Sequence, residues 1–276
     1  MRSSRDNTFN ALTAKKRCLA YRKRILNISQ EVTALHIAPA FSCLEMTDVI
    51  YHELLRRNTS GKFIDTFIMS KGHGCMSQYV ILEDLKILTK KDLKFYCKPK
   101  GKLGAHPDFG VPGISASTGS LGHGMGIATG MAYAHKLMNK KRNIYTLLSD
   151  GEFQEGSTWE AMMVAANLNV NNLIAFLDLN DFQSLSRTSL SHKAFYPVVD
   201  KVVSFGWETE EVDGHDAKSI LAAVANRRAD KPFLLIGRTI KGKGVSYMEN
   251  QPIWHYRSPS HKEYKQAMKE LGAEKS

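Results

Sequence analysis

The chain has 276 residues, 43% of them hydrophobic, and a formal net charge of +11. That length allows one large α/β domain or two small ones, each with a core. No apolar run approaches the about 20 residues that span a bilayer, and the opening MRSSRDNTFN lacks a signal peptide's apolar stretch, so no membrane association is expected. Cys18, Cys43, Cys75 and Cys97 lie far apart with no CxxC pair. This argues against a zinc site or a disulfide framework and fits a cytoplasmic location.

Taken in chain order, apolar spacing first predicts a helix over 10–30, and eight basic residues fall in the first 25 positions. Residues about 1–30 therefore read as a basic helical N-terminal extension. Its charge suits a solvated face or an anionic partner such as a phosphorylated small molecule. No zinc-finger spacing or basic–aromatic interleaving appears, so nucleic acid is not expected. A second helix is predicted over 45–57. Residues 98–119, rich in Gly and Pro, read as a long surface loop, and loops of that length are usually functional. Gly122, Gly126, Gly130 and Ala134 then recur every fourth residue, on one helix face. Such a row suits tight core packing or the close approach of another backbone or a flat ligand, and it does not match GxGxxG. Runs rich in β-formers at 144–148, 173–179, 208–212 and 233–236 alternate with helical or loop sequence, including helices over 217–228 and 261–272. This alternation predicts an α/β fold within a single domain over 1–276, a three-layer sandwich around a mostly parallel sheet.

The chemistry concentrates after the run at 144–148. Ser149-Asp150-Gly151-Glu152 follows it directly, and Asn180 stands thirty positions after Asp150, at the end of the next predicted strand. Neighbouring strands of a parallel sheet end side by side, so one crossover brings the Asp150 carboxylate and the Asn180 carbonyl oxygen to the same crevice. Two hard oxygen donors suit Mg²⁺ or Ca²⁺, with water and phosphate oxygens completing the shell. Gly151 lets the backbone approach an anion, and a helix starting near Gly156 points its N-terminus at the same edge. Singly, an Asp-Gly or an Asn after a strand is a turn signal; together, one crossover apart, they carry more.

Asp150-Gly151 followed by Asn180 resembles the thiamine-diphosphate motif, and the surrounding sequence resembles the N-terminal section of the transketolase family. SKGHG (70–74), GAHPDFGVPGISASTGSLGHGMG (104–126), SDGEFQEGSTWEA (149–161), EVDGHD (211–216) and KGKGVSYMEN followed by WH (241–255) carry the likeness, in order, from about residue 20 to 272. The resemblance implies the thiamine-diphosphate-binding fold, with the metal held by Asp150, Asn180 and the main-chain carbonyl of Phe182. Gly151 and His73 would contact the diphosphate, while Gly119, Ser120, Leu121 and His255 would line the cofactor. It also implies a pyrimidine-binding domain that supplies the activating glutamate. That domain normally follows in the same polypeptide, but this chain stops at Ser276. The expectation is therefore a split enzyme: a C-terminal-section partner chain, two copies of each chain in the complex, and no activity for this chain alone.

His36, His73, His106 and His255 all fall in matching blocks, where family members surround a ketose donor. A ketol unit presents a carbonyl and hydroxyls, and imidazoles of near-neutral pKa can donate to these oxygens and shuttle the departing proton. This favours ketol transfer between sugars or sugar phosphates over a pyruvate donor with a keto-sugar acceptor, or a non-catalytic binding role. Glu155 and Glu160 match family glutamates at the contact between protein chains; as first-turn carboxylates favoured by a helix dipole they need no such role. Three departures stand out. Ser149 replaces a glycine, Leu35-His36-Ile37-Ala38-Pro39 replaces Gly-His-Ile-Gly-Gly, and Tyr256 replaces the glycine after the last histidine. Pro39 fixes φ and removes a donor, which predicts a reshaped donor-side loop. Tyr256 predicts either an altered acceptor or a ring turned to solvent.

Overall fold

Strands of a parallel sheet covered on both faces are buried on both sides and read as continuous apolar runs. The computed structural model describes residues 9–32 and 35–273 and builds such a sheet. In chain order the strands are β1 (Thr66–Met69), β2 (Ile144–Ser149), β3 (Leu173–Leu179), the short β4 (Phe182–Gln183) and β5 (Ser186–Arg187), β6 (Glu208–Asp213) and β7 (Phe233–Arg238). Five of them pair in parallel in the order β1-β2-β3-β7-β6, while β4 and β5 form a separate antiparallel ladder. The helices are α1 (Ala11–Ser29), α2 (Ile37–Ser42), α3 (Leu44–Val49), α4 (Cys75–Asp84), α5 (Lys90–Lys94), α6 (Gly124–Leu137), α7 (Gly156–Asn167), α8 (Thr188–Ser191), α9 (Val198–Ser204), α10 (Ala217–Asn226) and α11 (His261–Ala273).

Alternate side chains along each strand divide between two cores. Phe67, Met69, Tyr145, Leu147, Ile174, Phe176, Phe233 and Leu235 face the core built by α1 to α4, α10 and α11. Ile68, Ile144, Leu148, Leu173, Ala175, Leu177, Leu234 and Ile236 face the core built by α6, α7 and α9. The two-residue period of the pleat thus produces the expected three layers. β2 and β3 are buried along their whole length, whereas the edge strand β6 keeps exposed glutamates.

Several sequence expectations change shape. α1 is no mere extension: Ala14, Cys18, Tyr21, Ile25 and Leu26 are buried in the first core. Three of its arginines pair inward, Arg17 with Asp48, Arg22 with Glu45 and Arg24 with Glu83, so much of the basic charge is neutralised within the chain. The helix predicted over 45–57 ends earlier. α3 passes into a π-helical turn at Ile50–Leu54, and Leu55 is extended. That frees Arg56 to bond the buried Asp65 through its backbone N–H (3.0 Å) and its guanidinium (2.6 and 2.8 Å). Residues 98–119 hold no helix or strand, yet Leu103, Val111 and Ile114 anchor the loop in the first core. The glycine row does not pack in a core. α6 begins at Gly124, Gly122 precedes it at φ +80°, and a Cβ on Gly126 or Gly130 would meet nothing within 4 Å. β1 and α4 were not legible in the sequence.

Phe176 is wholly buried in mid-sheet. Phe176→Ala should cost about 3–5 kcal/mol, whereas Glu210→Ala on the exposed edge strand should stay within about 0.5 kcal/mol. Urea unfolding of the two variants checks the difference.

Candidate active site

The carboxyl ends of β2, β3 and β7 lie level, with Ser149 opposite Asp178 and Asp178 opposite Gly237. After β2 the chain turns tightly. The Gly151 N–H donates to Asp150 Oδ1 (3.0 Å), and the Glu152 N–H donates to Ser149 Oγ (3.3 Å). Ser149 thus replaces the family glycine with its side chain engaged in the turn. After β3, Asn180 Oδ1 accepts the Phe182 N–H (3.0 Å). The Phe182 carbonyl oxygen lies 3.5 Å from where a Cβ on Gly151 would stand. The turn carrying Asp150 and the segment carrying Asn180 and Phe182 are therefore in contact, as the sequence predicts.

Asp150 is fully buried. Burial, with Asp178 adding, pushes its carboxyl up to about 7 despite the Gly151 N–H and Lys71. A buried carboxylate with oxygen donors beside it suits a divalent cation, which would reverse that preference. Among the described residues no group of three His, Cys, Asp or Glu side chains has metal-binding spacing. An ion here would rely on one carboxylate, amide and carbonyl oxygens, and ligands from elsewhere such as a diphosphate, a donor set that fits Mg²⁺.

Four histidines from four segments meet beside this crevice. His36 precedes α2, His73 lies in a single 3-10 turn (Gly72–Gly74), His106 lies in the long loop, and His255 lies in a 3-10 turn (Pro252–Tyr256). Ring centroids separate by 5.9 Å for His36–His73, 5.6 Å for His36–His106, 5.4 Å for His36–His255 and 5.3 Å for His73–His255. Burial first, then neighbouring cations and imidazoles, lowers the His36 pKa to about 4 and that of His255 to about 3. His73 is driven well below its usual range by the same causes, and His106 is lowered by burial. The near-neutral titration expected from sequence is thus replaced by imidazoles held neutral, each with one donor and one acceptor nitrogen.

Pro39 does not distort the segment after His36. It occupies the first turn of α2, where a backbone N–H has no intrahelical acceptor. Tyr256 packs its ring against His36 (centroids 4.4 Å) while remaining 51% exposed, so it roofs the histidine cluster and also faces solvent.

The loop carrying Gly119, Ser120 and Leu121 runs along the cluster. A Cβ on Gly119 would touch His106 at 3.7 Å. The loop is clamped at both ends by close approach. A Cβ on Gly72 would strike the Thr118 carbonyl at 2.1 Å, and one on Gly124 would strike Ser70 Oγ at 2.2 Å. Glu152, fully buried, accepts from Ser70 Oγ and from the Gly122 N–H (3.0 Å), joining β1, this loop and the turn after β2. Glu155 is the N-cap residue of α7 without a side-chain capping bond, and Glu160 lies beyond the first turn. Both are exposed, and neither belongs to the histidine cluster.

Sequence reasoning missed three buried charges. Lys71, in SKGHG, pairs with Asp178 at the end of β3. Lys241, in KGKG, donates to the Ser184 carbonyl (3.0 Å) and to His255 Nδ1 (2.9 Å). Burial and Lys71 bring Lys241 down to about 8. A lysine in a glycine-rich loop ordinarily reads as solvated; only its place inside the matching blocks signalled otherwise.

Residues 15–276 match the family model described as transketolase, thiamine diphosphate binding domain. The chain is 35% identical over 260 residues to one of the two apulose-4-phosphate transketolase chains of Phocaeicola vulgatus, covering 91% of this chain and 90% of that one. It is 34% identical over 245 residues to the 6-deoxy-6-sulfo-D-fructose transketolase subunit SqwG of a Clostridium species, covering 87% and 89%. The fold matches transketolase from Leishmania mexicana with a TM-score of 0.87 at 26% identity, over 94% of this chain and 41% of that one. The chain thus spans about two fifths of that solved transketolase.

The depressed histidine pKa values fix a sign. Stabilisation from neutral imidazoles is complete above the unfolded value of about 6.5 and is lost as pH falls through the folded values toward 4 and 3. Asp150 and Glu152, both raised to about 7 by burial, act in the opposite sense and lose their contribution as pH rises through 7. His255→Gln should therefore lose less stability than wild type between pH 7 and pH 4.5 by urea unfolding. Equal losses would contradict the burial of His255 as a neutral base.

Proposed function

The chain belongs to the transketolase family, and we propose that it is the diphosphate-binding half of a split transketolase, moving a two-carbon ketol unit from a ketose to an aldehyde acceptor. The observation that carries this reading is the contact between the Asp150 turn and the Asn180–Phe182 segment beside four converging histidines. Asp150, Asn180 and the Phe182 carbonyl would hold Mg²⁺ (or Ca²⁺). Gly151 and His73 would meet the diphosphate, and Gly119, Ser120, Leu121 and His255 would line the cofactor. Thiamine diphosphate, when bound, supplies the nucleophilic carbon and the electron sink for carbon–carbon cleavage.

This chain's own residues orient the sugar and move its protons. Breaking the carbon–carbon bond releases the proton of the donor's C3 hydroxyl, and a neutral imidazole offers it an acceptor nitrogen. Nδ1 of His36 is buried without a hydrogen-bond partner among the described residues, which supports its use by a substrate hydroxyl. Lys241 adds positive charge beside His255, suited to an anionic substrate or cofactor oxygen.

The partner would dock on the face of α6 and α7. Ile127, Met163 and Val164 are exposed there, with the bare backbone of Gly126, Gly130 and Gly156. Glu155 touches Gly122 where a Cβ would stand, so this face adjoins the cofactor loop. With Glu155 and Glu160 at that contact, the reading is a complex with two copies of this chain and two of a pyrimidine-binding partner. Two relatives named as transketolase subunits use apulose 4-phosphate and 6-deoxy-6-sulfo-D-fructose by name, which supports a substrate outside the common sugar phosphates here too. Tyr256, packed on His36, is the residue placed to enforce that choice. All four cysteines are free thiols, in keeping with a cytoplasmic enzyme, and among the described residues no helix is long and apolar enough to cross a membrane.

Calorimetric titration of the complex with thiamine diphosphate and Mg²⁺ tests the site. Asp150→Ala should abolish metal-dependent binding, Asn180→Ala should weaken it strongly, and wild-type affinity in Asp150→Ala would sink the assignment. Ketol transfer should appear only on mixing with the partner. Tyr256→Gly should shift acceptor preference; unchanged use of xylulose 5-phosphate and ribose 5-phosphate would leave Tyr256 without a role in selection.

A further inference from the structure

Asp178 sits at the last turn of the pleat in β3, two residues before Asn180, and is fully buried. Its Oδ1 accepts from Ser42 Oγ (2.6 Å) and Thr239 Oγ1; its Oδ2 accepts from Lys71 Nζ and Asn180 Nδ2 (3.1 Å). Asn180 Nδ2 also donates to Ser42 Oγ (3.1 Å). The nitrogen side of the Asn180 amide is thus held by acceptors, and its oxygen is turned away to the Phe182 N–H. Flipping the amide would press Oδ1 against the Asp178 carboxylate and leave the Phe182 N–H facing a donor, and each fault is costly in a buried site.

We propose that Asp178 and Lys71 form a positioning pair for the metal site. Asp178 sets which atom of Asn180 faces the ion, and Lys71 cancels the Asp178 charge so that Asp150 alone carries uncompensated charge there. Lys71 is also fixed by the Pro39 carbonyl (3.1 Å), so the pair joins the His36 segment, the SKGHG turn, β3 and the end of β7. Neither residue touches the ion. The inference rests on the reading that Asp150 and Asn180 hold a divalent cation.

Two predictions separate positioning from plain support. Asp178→Asn leaves Lys71 an unpaired buried cation beside the ion site and removes the acceptor that orients Asn180, so stability and metal affinity should both fall. The double variant Lys71→Met/Asp178→Asn removes the stranded charge. Its urea midpoint should recover most of the loss, while its metal affinity stays about 10–100-fold below wild type, the usual cost of losing a residue that orients a ligand. Mn²⁺ serves as the probe, titrated into the purified complex with thiamine diphosphate and followed by electron paramagnetic resonance. Wild-type Mn²⁺ affinity in the folded double variant would overturn the inference alone. Failure of the wild type itself to bind Mn²⁺ would sink the ligand assignment and this inference with it.

Discussion

Parallel pairing of β3 with β2 on one side and β7 on the other sets Asp178 between Ser149 and Gly237. Because side chains alternate along a strand, a slip of one residue would exchange the two faces of β3 and carry Asp178 out of its network. The register is held by the two cores. Phe176 and Ile174 belong to one and Leu177 and Ala175 to the other, so neither face tolerates the exchange. Once the strand ends are level, the turn at Asp150, the segment at Asn180 and the lysine-bearing loop after Arg238 have little freedom about where they meet.

Around that junction the protein buries charge in compensated sets. Lys71 balances Asp178 in the active site, and beside it Arg22 and His215 balance Glu45. Burial pushes the Glu45 carboxyl up, but those two partners outweigh it and hold it at about 2. Asp150 and Glu152 lack a cation of their own within hydrogen-bonding reach among the described residues, and both are pushed up to about 7 by burial. The contrast divides structural from chemical charge: paired carboxylates support the fold, and the unpaired Asp150 awaits a positive partner. The same low-polarity surroundings keep the imidazoles neutral and strengthen each hydrogen bond made to a substrate oxygen.

Much of this was legible in the sequence because it follows local rules. The four predicted strands, the crossover from Asp150 to Asn180 and the convergence of His36, His73, His106 and His255 came from apolar runs, turn chemistry and ordered motif blocks. What escaped depends on distant partners. β1 is only four residues long and lies between turns, and its apolar triplet Phe67-Ile68-Met69 has no periodic signal. The role of Lys71 cannot be seen without Asp178, which stands 107 positions away. Arg56 ends the helical run early because Asp65 waits for it, again a contact that no local pattern announces. Pro39 was expected to disturb its loop and instead fits a helix's first turn, since the signal for α2 was too short to read.

The central claim is that the carboxyl ends of β2 and β3 form a metal–diphosphate site completed by a partner chain. Anomalous diffraction from crystals of the complex grown with Mn²⁺ and thiamine diphosphate addresses it most directly. The account predicts a single anomalous peak bounded by the Asp150 carboxylate, the Asn180 oxygen and the Phe182 carbonyl, with the diphosphate against Gly151 and His73. A diphosphate bound elsewhere, or a peak away from those three oxygens, would contradict it.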